Sequence, residues 1–173
     1  MLELHTDIKP DNVGLSVRDR PTQLAKILDL GLARACNYTS GCHTLCGTPL
    51  YMAPEVLWRS APSARDYGRQ ADMWSFGVLV YSMLTATDAW TLEESDDAPE
   101  MTCDFSDPVW LTVTQGAMDT ISSLLCRDPA TRSAVGVLCV LINVLTGIRG
   151  QFVSVRWFVV WCLQPISCHL FSR

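Results

Sequence analysis

Residues 73–84 read Met-Trp-Ser-Phe-Gly-Val-Leu-Val-Tyr-Ser-Met-Leu, which is apolar on every side of a helix over about three turns. A helix with no polar face is a buried one. A membrane span is the rival, but the run falls short of the about 20 residues a span needs, and Asp72 stands at its start. With 173 residues the chain is long enough for one domain with a real core, so a central helix enclosed by protein is expected. A second helix is expected over residues 117–125, where Met118, Ile121, Leu124 and Leu125 share a face. Residues 13–15 and 25–28 read as two short strands joined by a polar loop containing Pro21. Such a hairpin carries Asn12 and Asp29, at its two open ends, to neighbouring positions.

The chemistry-bearing stretch is His5-Thr6-Asp7-Ile8-Lys9-Pro10-Asp11-Asn12. It sets an acid, a cation two residues on and an amide three residues after that in one tight loop. Those groups can orient a hydroxyl nucleophile, neutralise a phosphate and hold a metal ion. The net charge of −5 argues against nucleic acid as the main partner. Eight cysteines would suit a disulfide-rich secreted protein, but the N-terminus is polar and acidic rather than a signal peptide. The thiols are therefore expected to be reduced and the protein cytoplasmic or nuclear. Cys36, Cys42, His43 and Cys46 lie close together, yet without the paired spacing of a zinc ribbon or finger; loop thiols are the main reading and a metal site the alternative.

The pattern H-x-D-x-K-x-x-N resembles the catalytic loop of eukaryotic protein kinases, and Lys9-Pro10 resembles its serine/threonine branch. Asp29-Leu30-Gly31, placed 17 residues after Asn12, is similar to the family's D-F-G with Leu for Phe, and a packed contact of that apolar side chain is expected to survive. The run Gly47-Thr48-Pro49-Leu50-Tyr51-Met52-Ala53-Pro54-Glu55 is the most specific match, closing an activation segment over residues 32–55. Asp72-Met73-Trp74-Ser75-Phe76-Gly77-Val78 resembles the family's central helix, and Asp128-Pro129-Ala130-Thr131-Arg132 its later D-P-x-x-R. The wording around Thr44-Leu45-Cys46 looks most like checkpoint-type kinases of the calcium/calmodulin-dependent group.

The resemblance implies a mainly α fold: the C-terminal lobe of a protein kinase with a small β-hairpin, the N-terminal lobe being absent. It implies transfer of ATP's γ-phosphoryl group to a protein Ser/Thr hydroxyl. Asp7 would accept the hydroxyl proton, Lys9 would stabilise charge on the γ-phosphate, and Asn12 and Asp29 would bind Mg2+. Thr48 would sit near Asp7 and Lys9 and help receive the substrate. Glu55 would pair with Arg132, and Asp72 would anchor the backbone near Thr6. Thr39, Ser40 and Thr44 are candidate phosphorylation sites by position. The family commonly has arginine where Thr6 stands, and a hydroxyl lacks the bidentate, charge-assisted grip of a guanidinium on a phosphate. Loop phosphorylation is therefore not expected to switch the protein through that pocket.

The match runs from about Leu4 to Leu138, so a partial kinase domain is expected over residues 1–138. The family's Gly-rich loop, strand lysine and helix glutamate have no counterpart: no G-x-G-x-x-G occurs, and the lysines are Lys9 and Lys26. A catalytically silent, pseudokinase-like interaction module is thus the first alternative. The acidic run over residues 93–100 reads as a solvated loop, with a docking site for basic substrates as the sharper option. Beyond Asp128 the only charged residues are arginines, and residues 139–173 turn apolar. That tail reads as sequence not selected as protein, such as translated intron; an added packing element and a membrane anchor are the alternatives.

Overall fold

The computed structural model describes residues 2–15, 25–36, 45–58, 67–90 and 103–133. The hairpin loop, the positions Thr39, Ser40 and Thr44, the acidic run over residues 93–100 and the apolar tail lie outside them.

Among the described residues, four three-residue strands pair into two antiparallel ribbons. β2 (Val13–Leu15) pairs with β3 (Ala25–Ile27) in the register Val13 to Ile27. This is the hairpin read from the sequence, and Leu28 N–H extends it by donating to the Asn12 carbonyl at 2.8 Å. The second ribbon was not anticipated: β1 (Leu2–Leu4) pairs with β4 (Arg34–Cys36), Leu4 opposite Arg34. The two ribbons frame the loop over residues 5–12.

The core is helical. α1 (Pro54–Leu57) is a single turn, α2 (Arg69–Thr85) is the long helix, and α3 (Gln115–Leu124) packs across it. Every residue of α2 from Met73 to Tyr81 is buried, as its unbroken apolar composition requires. α2 ends at Ala86, whose left-handed φ of 55° breaks the helical path. α3 begins at Thr114, whose side chain accepts from Ala117 N–H. The two helices approach closely at Gly77, where an added Cβ would lie 2.9 Å from both Leu124 and Leu125. Tyr81, Phe105 and Trp110 close one end as an aromatic cluster, with the Phe105 and Trp110 rings edge-on at 4.7 Å.

Leu4 and Ile8 drop from either side of the chemistry-bearing loop into this core, at 1% and 2% exposure. Each such burial contributes about 1.5–3 kcal/mol, more than a surface ion pair, so apolar anchors are what seat the loop against α2. Among the described residues no helix is long and apolar enough to cross a membrane.

One expectation fails. Leu30, read as a packed side chain, is instead 52% exposed, flanked by Leu28 at 47% and Leu32 at 38%. Asp29 takes a left-handed conformation (φ 56°, ψ 79°), and residues Leu30–Leu32 form one 3-10 turn. So tight a turn spreads its side chains around its axis instead of stacking them on one face.

Candidate active site

The site begins with a carboxylate that holds a backbone. Asp72, in the first turn of α2, accepts His5 N–H at 2.8 Å and Thr6 N–H at 2.9 Å, one on each oxygen. Burial of this carboxyl raises its pKa, and the two backbone hydrogen bonds offset only part of that rise. The loop is thereby fixed to the most deeply buried helix.

His5 extends the support. Asp7 N–H donates to its Nδ1 at 3.3 Å, so the proton sits on Nε2, which donates to the Leu28 carbonyl at 3.1 Å. One buried imidazole ties the acid loop to the end of β3, next to Asp29. Asn12 closes the loop from its far side: its Nδ2 donates to both the Asp7 carbonyl (2.8 Å) and Asp7 Oδ2 (2.9 Å). The 3-10 turn Pro10–Asn12 makes this reach possible, with Pro10 supplying the fixed φ of its first position.

Asp7 therefore faces three donors. Besides Asn12, Thr48 Oγ1 donates to Oδ1 at 2.7 Å, and Lys9 Nζ lies 3.0 Å from Oδ2. Lys9 also donates to Thr48 Oγ1 at 2.8 Å, so acid, amine and hydroxyl form a closed triangle. Burial alone would push the Asp7 carboxyl up. The hydrogen bonds from Thr48 and Lys9, the Lys9 charge and the Asn12 amide outweigh it and hold Asp7 below the usual carboxylate range. Asp7 is thus an anion at neutral pH and already engages a hydroxyl.

Thr48 reaches this position because the 3-10 turn Pro49–Tyr51 follows it and is pinned to α2, where Ser75 Oγ donates to the Tyr51 carbonyl at 2.7 Å. Glu55 and Arg132 meet further along: Arg132 Nη1 and Nη2 contact Glu55 Oε1 and Oε2 at 2.6 and 2.9 Å. The other guanidinium hydrogens go to the carbonyls of Cys126, Gln70 and Arg127, so all five donors are used. The guanidinium also stacks over Trp74, 5.0 Å from its ring centroid.

Asp29 stands apart. It is exposed, and its Oδ1 accepts Gly31 N–H at 3.0 Å within its own turn. Its sequence neighbour Leu28 is bonded to both Asn12 and His5, so the acid lies at the mouth of the loop. Asn12 commits its nitrogen to Asp7, which leaves its Oδ1 as an available oxygen; Asp29 has Oδ2 available. Two hard oxygens suit a Mg2+ ion that takes its remaining ligands from phosphate and water, and the residues present fit that group. Among the described residues no group of three or more His, Cys, Asp or Glu could hold a metal by itself. The zinc alternative falls partly outside the description, since Cys42 and His43 do; Cys46 is a free thiol near Thr6 and Tyr67.

Sequence reasoning missed the roles of Cys46, Ser75 and the Leu32 carbonyl, which act through contacts with residues at least 21 positions away. No periodicity or spacing marks them.

The model of the protein kinase domain matches residues 3–140. The chain belongs to the protein kinase domain family. Ovarian-specific serine/threonine-protein kinase Lok of Drosophila melanogaster is 37% identical over 135 residues, covering 76% of this chain and 28% of that protein. Human serine/threonine-protein kinase DCLK3 is 32% identical over 135 residues, covering 75% and 20%. Calcium-dependent protein kinase 1 of Arabidopsis thaliana is 34% identical over 141 residues, covering 79% and 22%. The chain thus spans between a fifth and three-tenths of the length of these three protein kinases.

Proposed function

We propose that this chain is the C-terminal-lobe part of a serine/threonine protein kinase that transfers ATP's γ-phosphoryl group to a Ser or Thr hydroxyl of a protein substrate. The carrying observation is the Asp7–Thr48–Lys9 triangle, in which an ionised acid already accepts a hydroxyl proton donor at 2.7 Å with a cation beside both.

A substrate hydroxyl in the place of Thr48's would meet a base at hydrogen-bonding distance, which is the first geometric requirement of general base catalysis. Asp7 would orient that hydroxyl and take its proton as the oxygen attacks. Lys9 would neutralise charge on the transferred phosphoryl group. Thr48 would border the substrate residue, and Asn12 and Asp29 would hold Mg2+, which when bound neutralises phosphate charge. Asp72, His5 and the Glu55–Arg132 pair would keep this constellation rigid without touching substrate.

The test is peptide phosphorylation by the complete natural protein. Asp7→Asn should lower the rate by at least about 100-fold, the lower limit for a general base. An unchanged rate in that variant would remove the proposal. Catalytic silence of the 173-residue chain itself is the second reading, favoured by the exposure of the Asp29 turn. A magnesium-ATP thermal shift separates the readings: a clear rise in Tm supports nucleotide binding by this chain, and none supports a silent interaction module. Cytoplasmic or nuclear placement goes with this reading.

A further inference from the structure

Thr6 occupies a backbone conformation that its side chain disfavours. Its φ is 65°, in the left-handed region where a β-branched residue is an outlier. Two contacts impose it. Thr6 N–H is held by Asp72 at 2.9 Å, and the Thr6 carbonyl packs so closely on Gly47 (φ 112°) that a Cβ there would collide with it. The conformation places the hydroxyl between two segments distant in sequence. Thr6 Oγ1 donates to the Leu32 carbonyl at 2.8 Å, and Cys46 Sγ donates to Thr6 Oγ1 at 3.5 Å.

The direction of these bonds is fixed by chemistry. A carbonyl only accepts, so the Thr6 proton goes to Leu32 and a lone pair remains for the Cys46 thiol. With the thiol proton spent, the sulfur is left to accept from Tyr67 Oη, 3.7 Å away. Leu32 closes the turn after Asp29, and Cys46 lies two residues before Thr48.

We propose that Thr6 is a positioning residue whose uncharged hydroxyl latches both ends of the segment between Leu32 and Cys46 to the acid loop. The hydroxyl grips a carbonyl and a thiol that both belong to the chain itself. The place of Thr48 beside Asp7, two residues beyond Cys46, is then set in part by this latch. The latch concerns where backbone lies, so it stands or falls separately from phosphoryl transfer.

The test is hydrogen exchange on the full 173-residue chain, without nucleotide or peptide substrate. Thr6→Val keeps the shape and the branched Cβ and deletes only the hydroxyl. It should speed exchange roughly three- to tenfold, the scale of one lost net hydrogen bond, in peptides covering residues 30–36 and 45–52 together. Residues 73–81 of α2 should not change, which separates a lost latch from general destabilisation. Thr6→Ser should restore both ends to the original rates. Cys46→Ala should speed residues 45–52, and adding it to Thr6→Val should have little further effect there. Unchanged exchange at either end in Thr6→Val, an equal rise in α2, or no rescue by Thr6→Ser would each overturn the proposal.

Discussion

The acid loop over residues 5–12 and the Asp29 turn carry the two metal-binding candidates, and they are built in opposite ways. In the loop, His5, Asp7 and Asn12 are buried, and the partner of the His5 N–H is Asp72, on a helix 67 residues away. In the turn, Asp29 is exposed, and among the described residues its side chain bonds two residues along, to Gly31. A carboxylate fixed by long-range contacts shares the stability of the core; one fixed by a local turn can be altered without the core responding. The loop is therefore held at the expense of global stability when damaged, and the turn is a place where function can change alone.

Arg132→Ala should give the largest effect. It removes a fully buried guanidinium with five satisfied donors and leaves Glu55 without its cation. Breaking a buried pair from one side costs about 3–5 kcal/mol, which urea denaturation of the whole chain will register. A loss below about 1 kcal/mol would mean that the long-range contacts are not what sustain this half of the molecule.

Asp72→Ala comes next. It strands the N–H groups of His5 and Thr6, each costing about 1–3 kcal/mol if buried and unpaired, so a loss near 2–4 kcal/mol is expected. The melting temperature reads it directly, and a Tm equal to the original would sever the acid loop from α2.

The pH dependence sharpens the contrast within the loop, with a smaller effect. Asp7 has a folded pKa below its ordinary value of 3.8. Its contribution to stability is present above 3.8 and is lost as pH falls through the lower folded value. Asp72 is shifted the other way. Its folded form prefers the proton, so its contribution is greatest below 3.8 and declines as pH rises towards the raised folded value. Asp7→Asn should therefore weaken the acid-side loss of stability, while Asp72→Asn should weaken the decline above pH 3.8. Denaturation midpoints measured across acid pH would contradict the assignment if the two variants moved together.

How much of this was legible in the sequence follows the same division. α2 was readable because a run with no polar face admits one environment, and α3 because its period puts Ile121, Leu124 and Leu125 on one side. The β2–β3 hairpin was readable from two short apolar runs either side of a polar, proline-containing loop. The β1–β4 ribbon was not: three residues carry no pattern, and the pairing of Leu4 with Arg34 is fixed by where the intervening loop and turn lead the chain. Leu30 was read as packed on the strength of its apolar side chain, but the left-handed backbone at Asp29 decides its direction, and aspartate gives that away only weakly. Thr6 was the least legible, since a branched residue with positive φ contradicts local preference and is set by Asp72 and Gly47 from outside.

Asp29→Ala should give the smallest effect on stability, and it probes the exposed turn directly. The side chain gives up one hydrogen bond, to Gly31 N–H in a solvent-exposed turn, where water replaces it. Alanine also tolerates the left-handed backbone less well than aspartate, which adds a modest penalty. Together these should shift the unfolding free energy by no more than about 1 kcal/mol. If Asp29 holds Mg2+ as proposed, magnesium-dependent nucleotide binding by the complete protein should nevertheless weaken strongly, because one of the two proposed protein ligands would be gone. Such a split, binding lost with folding kept, is what a locally built ligand position predicts. A stability loss approaching that of Arg132→Ala would show instead that the turn is tied to the core through contacts that its exposure conceals.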